Sequence, residues 1–319
     1  MSTTPTTPER AALSYAVVGG SRPDRIQRAP LRASLLLLNR GPRFSRPEAL
    51  REAEGLEVGE IISVERSSVE VDSLSREHPD VKFLLPRESA TVGELINIGI
   101  AEARSRLVLV LWSDMRVESP QILGSRLDAA ENEGSLCIAP ELCGPDGSPL
   151  PVVASPRLQA GRLGVARSPA LPEEASTLYP FDYCGIYRKD RFLGIGGYEG
   201  LLGSAYWQKL EFGLRCHLWG ESLVVRRDLR LSYSTDIAPE DTTPDPSYRR
   251  FYLRTVAVRV RREGGYLPLG RFLPYYLRAG TGLAAAAAEF REARRWVDSR
   301  RKLFRRDLRA LVEQWGRRA

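Results

Sequence analysis

The sequence predicts an α/β fold, a mostly parallel sheet flanked by helices, on three observations. Short, wholly apolar runs recur, the clearest being Leu107 to Leu111 (L-V-L-V-L) and Leu35 to Leu38. Runs that short and continuous suit strands covered on both faces, as in a parallel sheet. Charged, helix-compatible segments alternate with these runs, as crossover connections require. With 319 residues, 43% of them apolar, the chain can bury such a sheet between helical layers.

Arg32 to Arg40 (R-A-S-L-L-L-L-N-R) opens the pattern as a buried strand. The polar, Ser/Thr/Pro-rich start places a disordered leader over residues 1–30, without the apolar run of a signal peptide. Arg46 to Glu54 reads as a helix, and Glu60 to Glu65 and Val81 to Leu85 as strands. Thr91 to Ser105 reads as a helix feeding Leu107 to Leu111. Pro145-Asp146-Gly147 predicts a hairpin turn. Ser155 to Pro180, dotted with prolines, reads as a long irregular loop. Strand pattern returns at Asp182 to Tyr187 and helix at Tyr206 to Trp219. The expected division is a leader over 1–30, an α/β domain over 31–240 and a basic helical appendage over 241–319.

Charge is unevenly spread. Of the net +7, six units lie between Glu289 and Ala319, where eleven Arg/Lys stand against five Asp/Glu. The rest of the chain is near neutral, which excludes a body-wide basic surface for nucleic acid. Phe290, Ala293, Val297, Phe304, Leu308 and Leu311 recur at helical steps opposite the basic residues. Such a helix suits three partners: the α/β domain, a second copy, or an anionic membrane surface. The four cysteines form no C-x-x-C pair and only two histidines are present, so neither a disulfide framework nor a usual zinc site is expected. The expected compartment is the cytoplasm, with the inner face of the membrane as a peripheral site. Leu267 to Phe290 is too broken by Pro268, Arg271, Pro274 and Arg278 to span a bilayer.

Chemistry concentrates in two segments. Ser113-Asp114 ends the most apolar strand, placing a carboxylate at the edge where open α/β sheets bind ligands. Asp114 there reads equally as a cap for the next helix or as a ligand for Mg²⁺ or Mn²⁺ gripping a diphosphate. Farther on, Gly196-Gly197 permits a tight turn beside Tyr198 and Glu199. Glu211 and Arg215 follow one helical turn apart, the spacing of an ion pair. Trp207 reads as a core residue or a stacking platform.

Taken in order, these segments resemble the family 2 glycosyltransferases over about Arg32 to Asp236. S-L-L-L-L-N-R (Ser34 to Arg40) is similar to their opening strand, and V-E-R-S-S (Val64 to Ser68) to the end of their second strand, which binds the nucleotide base. G-E-L-I-N-I-G-I-A-E-A (Gly93 to Ala103) resembles the helix before their metal-binding strand, and W-S-D-M (Trp112 to Met115) falls at their D-x-D. G-G-Y-E (Gly196 to Glu199) and the Tyr206 to Gly220 helix resemble their glycine turn and final acidic helix. The resemblance implies a GT-A-like domain moving a sugar, with inversion, from a nucleotide-sugar donor to a hydroxyl of a surface glycan or lipid-linked precursor. It implies Glu65 at the nucleotide, Asp114 at the metal, and Glu211 or Glu199 as the base. Asn39, Asn97, Ser113, Trp207 and Arg215 are the further substrate contacts it implies. Three positions depart from the pattern. Trp112 stands at the first D-x-D carboxylate, Glu65 where Asp is usual, and Gln208-Lys209 at the acidic pair. The alternative is a non-catalytic relative that binds a glycan or partner protein through the same cleft.

Overall fold

The computed structural model describes residues 13–20, 32–41, 44–65, 71–159, 162–169 and 173–315. The first half alternates as expected: β1 (Tyr15–Gly19), β2 (Ser34–Leu38), α1 (Arg46–Glu54), β3 (Glu60–Val64), α2 (Val71–Glu77), β4 (Val81–Pro86), α3 (Val92–Glu102) and β5 (Leu107–Trp112). A short β6 (Met115–Val117), α4 (Leu123–Asn132) and β7 (Cys137–Cys143) follow. Then come β8 (Val153–Gln159), β9 (Arg162–Ser168), β10 (Glu174–Ser176), β11 (Gly185–Arg188), α5 (Lys189–Gly194), α6 (Ala205–Trp219) and β12 (Leu223–Tyr233). The last quarter holds α7 (Pro246–Phe251), the small pair β13 (Arg259–Arg261) and β14 (Gly264–Tyr266), α8 (Phe272–Ala279), α9 (Leu283–Ser299) and α10 (Leu308–Gln314).

The main sheet runs β1-β4-β3-β2-β5-β11-β7-β12-β10, with β6 also on β12. Strands β4, β3, β2 and β5 are parallel, β11 is antiparallel to β5 and β7, and β7 and β12 are again parallel. Every residue of β2 and β5 is buried, which explains their unbroken leucine and valine runs. Helix α3 begins with a capping box in which Thr91 and Glu94 satisfy each other's backbone N–H groups. It lies so close to β2 that a Cβ at Gly99 would stand 2.4 Å from the Leu36 side chain, so only glycine fits the helix there.

Three expectations need correction. Residues 15–19 of the supposed leader form an edge strand antiparallel to β4, with the Tyr15 hydroxyl donating to Glu102 at 2.6 Å; the rest of the leader, except residues 13, 14 and 20, lies outside the described residues. The loop expected over 155–180 contains the hairpin β8–β9, whose edge-strand pairing tolerates Pro156. The C-terminal region is not an appendage. Trp296, Val297, Phe304, Leu308 and Leu311 share one core cluster with Tyr206, Leu214 and Leu218 of α6, and Trp296 stacks on Trp219 at 6.0 Å. The expected continuous apolar helix also breaks after Ser299 and restarts where the Asp307 carboxylate caps α10. Among the described residues no helix is long and apolar enough to cross a membrane.

Candidate active site

Two loops leave the sheet side by side where parallel β2 and β5 end. Asn39-Arg40 follows β2, and Ser113-Asp114 follows β5. The Ser113 N–H donates to the Leu38 carbonyl at 2.9 Å and the Arg40 N–H to the Ser113 hydroxyl at 3.1 Å, locking the two turns together. Asp114 does not cap a helix; Ser119 precedes the next helical turn. Its carboxylate instead accepts from Arg40 Nε, at 3.0 and 3.2 Å to its two oxygens. Burial pushes the Asp114 carboxyl above its ordinary range, and the Arg40 charge offsets part of that rise.

Arg40 reaches on to a second carboxylate, Asp182, donating from both terminal nitrogens, one at 3.3 Å. Asp182 and Tyr183 both adopt left-handed backbone, with φ of 50° and 64°, a conformation costly for residues other than glycine. The surroundings hold it there. Trp112 Nε1 donates to the Asp182 carbonyl at 2.8 Å, and the Tyr233 hydroxyl to its carboxylate at 2.8 Å. The Trp112 ring, at the position where the family pattern has a carboxylate, lies under the Arg40 guanidinium, 3.9 Å from centroid to Cζ.

Lys209, the fifth residue of α6, stands with its ammonium 5.2 Å from the ring of Tyr183, the neighbour of Asp182. Burial pushes its ammonium down to about 8, against the pull of Asp182. It is ion-paired to Glu240, which also binds Arg167 and accepts from the Tyr179 hydroxyl at 3.2 Å. Lys209 and Glu240 line a cavity of about 330 Å³ with Ser204 and Tyr206. Arg40, Asp182 and Tyr233 thus join Asp114 and Ser113 at the sheet edge, and Lys209 and Glu240 line a cavity of their own on the far side of Tyr183, whose ring is 5.2 Å from the Lys209 ammonium. Sequence reading named none of Arg40, Asp182, Tyr233, Lys209 and Glu240 as site residues; the left-handed Asp182 is the structural signal that marks them.

The other expected site residues lie elsewhere or face inward. Glu65 is 0% exposed, its carboxylate taken by Arg46 Nε at 2.5 Å, Ser63 at 2.5 Å and Asn39 at 3.0 Å. Asn97 clasps Tyr198 reciprocally, accepting its N–H and donating to its carbonyl, both at 2.8 Å. Gly197 beside it has φ 61°, and a Cβ there would stand 2.4 Å from Asn97 Oδ1. Trp207 is core, packed on Phe251 and Tyr248, with its indole N–H on the Thr243 carbonyl at 2.9 Å. Glu211, 1% exposed, is not at the cleft with Asp114: it takes Arg215 at 2.8 and 3.0 Å, and Arg215 also donates to the carbonyls of Ile195 and Gly197. Glu199 is bound by Arg254; burial would raise its carboxyl, but Arg254 and Arg250 outweigh burial and hold it low. Glu199 lines a separate cavity with Asn97, Arg215 and Trp296, which contains neither Asp114 nor Lys209. Gln208 faces α3, accepting from the Gly93 N–H and Tyr183 hydroxyl and donating to Thr91.

A divalent cation at Asp114 would need several oxygen ligands. Both Asp114 oxygens are on Arg40, an indole occupies the neighbouring ligand position, and no cluster of three metal-ligating side chains occurs among the described residues. The residues present do not fit the ion.

No protein-family model matches the chain, and no curated protein does. Solved structures do. GalNAc-T7, solved with UDP, GalNAc and Mn²⁺, superposes at a TM-score of 0.53 with 12% identity, over 70% of this chain and 48% of its own. The chain thus spans about half the length of that protein. Residues 1–349 of S. aureus TarS, solved with UDP-GlcNAc, superpose at 0.50 with 16% identity, over 84% of this chain and 72% of theirs. Both are GT-A-type glycosyltransferases, and with the sheet described above they show that this chain has a GT-A-type glycosyltransferase fold.

Proposed function

We propose that the chain binds a nucleotide-sugar and transfers its sugar to a hydroxyl of a glycan or lipid-linked acceptor. The observation that carries this reading is the set of charged pairs Arg40–Asp114, Arg40–Asp182 and Lys209–Glu240, with Arg40 and Asp114 at the ends of β2 and β5. That is the sheet edge where open α/β folds take ligands, in a fold shared with proteins solved holding UDP or UDP-GlcNAc. Arg40 offers the donor diphosphate the two N–H groups that Asp114 and Asp182 leave over. The acid that the sequence lacks at 209 is supplied across the cavity by Glu240, with Lys209 and Arg167 orienting it. Glu240 takes the acceptor hydroxyl proton as the new oxygen–C1 bond forms; the C1–phosphate oxygen bond breaks and its electrons leave with the nucleoside diphosphate. Lys209 at the base position favours the second reading, a binding protein without turnover. A panel of nucleotide-sugars distinguishes the two. Transfer predicts both a raised melting temperature and release of nucleoside diphosphate, whereas binding alone predicts only the first. A panel that gives neither sinks donor binding and leaves the relative that binds a glycan or partner protein.

The sequence offers the C-terminal helix as a surface for an anionic membrane, and the fold offers a different one. The row from Phe290 to Leu311 is buried, but Leu269, Leu273 and Leu277 stand 64, 61 and 73% exposed at successive helical steps, with Arg271 and Arg278 beside them. We propose that this face rests on anionic lipid at the cytoplasmic side of a membrane. Vesicles containing phosphatidylglycerol should sediment the protein and lose it with Leu273→Glu/Leu277→Glu. Equal binding by that variant contradicts the assignment.

A further inference from the structure

We infer that Arg40 permanently fills the cation position of the cleft, so that a nucleoside diphosphate binds without a divalent metal. This rests on the donor-binding reading above. The guanidinium is caged on three sides. The Trp112 indole supports its face at 3.9 Å, Asp114 takes its Nε edge at 3.0 Å, and Asp182 takes its two terminal nitrogens. Each wall is itself fixed. Trp112 donates to the Asp182 carbonyl, Tyr233 holds the Asp182 carboxylate, and the locked turns of residues 38–40 and 113 hold Asp114 in register.

The chemistry of the indole wall suits a flat organic cation and not a metal. An indole presents a π face and a single N–H donor, with no lone pair to give an ion. A guanidinium, always charged and planar, stacks on that face and keeps its edge for acids. Access follows the same order: the Arg40 side chain is 24% exposed and that of Asp114 only 6%, so an ion could reach Asp114 only by displacing Arg40. Displacement would leave the Asp182 carboxylate without its cation and Arg40 without either acid. Two of the five guanidinium N–H groups have no protein acceptor among the described residues, and these can meet phosphate oxygens. Tryptophan at 112 and arginine at 40 are therefore two halves of one substitution for the missing metal ligand.

Titration calorimetry of the full chain with uridine diphosphate, in chelator and then in excess Mn²⁺, tests this directly. The wild-type Kd should agree between the two buffers within about threefold. Arg40→Ala should weaken binding in chelator by about tenfold or more and recover part of it in Mn²⁺, because Asp114 and Asp182 are then free. Arg40→Lys, which keeps the charge and loses the fork, should fall between them. Wild-type affinity that rises about tenfold or more with Mn²⁺ overturns the inference, as does an Arg40→Ala variant that binds like wild type in chelator. Absence of binding by uridine, guanosine and thymidine diphosphates in both buffers would instead remove the donor reading, and this inference with it.

Discussion

Two charged pairs leave helix α6 only two residues apart, and they are built for different ends. Glu211 and Arg215 are closed on themselves: both carboxylate oxygens take Arg215, whose other nitrogen and remaining donors go to the carbonyls of Ile195 and Gly197. The pair fastens α6 to the glycine turn, and Asn97 fastens α3 to the same turn. Lys209 instead meets Glu240, from a loop beyond β12, beside a cavity that reaches solvent. Its field includes Arg40 and Asp182, from two further segments. A pair satisfied by its own helix and the adjoining backbone is a clamp. A pair assembled from a helix and a distant loop beside that cavity is placed for a ligand.

Substitutions can break or sharpen that contrast. The largest effect should come from Glu211→Gln, which leaves Arg215 buried without its counter-charge. Urea denaturation should show a loss of about 3 kcal/mol or more. Similar stability to wild type would mean that the clamp does not carry the fold. Leu311→Ala should cost about 3 kcal/mol, since its side chain sits in the cluster shared with α6; a negligible loss would restore the C-terminal region to an appendage. Asn97→Ala removes both bonds to Tyr198 and should cost about 2 kcal/mol by the same measurement.

The smallest effect is a pH slope at Lys209. Its ammonium is held near 8 in the fold against 10.5 ordinarily, so between those values the unfolded chain binds more protons and stability rises with pH. The rise is at most about 1.4 kcal/mol per pH unit. Subtracting the profile of Lys209→Met should isolate it. Parallel profiles would mean that the buried amine keeps its ordinary affinity for protons.

Much of the scaffold was legible in the sequence because its signals are local. β2 and β5 announce themselves as unbroken apolar runs, α3 carries its capping box at Thr91 and Glu94, and the Pro145-Asp146-Gly147 turn closes as expected, with Gly147 N–H on the Gly144 carbonyl at 3.0 Å. β12 was missed because its R-R-D-L-R-L-S-Y stretch spends charged residues on an exposed face, and β1 because an edge strand needs little apolar pattern. The site was harder to read. Arg40 lies 74 residues from Asp114 and 142 from Asp182, and no spacing rule links them. Glu211 was attractive because α6 presents it near the missing acids. The helix turns through roughly 200° between Lys209 and Glu211, however, and that rotation carries the carboxylate away from the cleft. Trp112 looked like a lost ligand, and its role as the floor under Arg40 appears only with the ring in place.

The central claim is that the working carboxylate is Glu240 and that Glu211 is structural. Nucleoside diphosphate release from a nucleotide-sugar, measured side by side for folded Glu240→Gln and Glu211→Gln at a temperature where both remain native, tests it most directly. Glu240→Gln should lower turnover by about a hundredfold or more while leaving nucleotide affinity nearly unchanged, because a proton acceptor acts in the transition state. Glu211→Gln should retain most of the wild-type rate. The reverse pattern, with activity lost at Glu211 and kept at Glu240, would contradict the account.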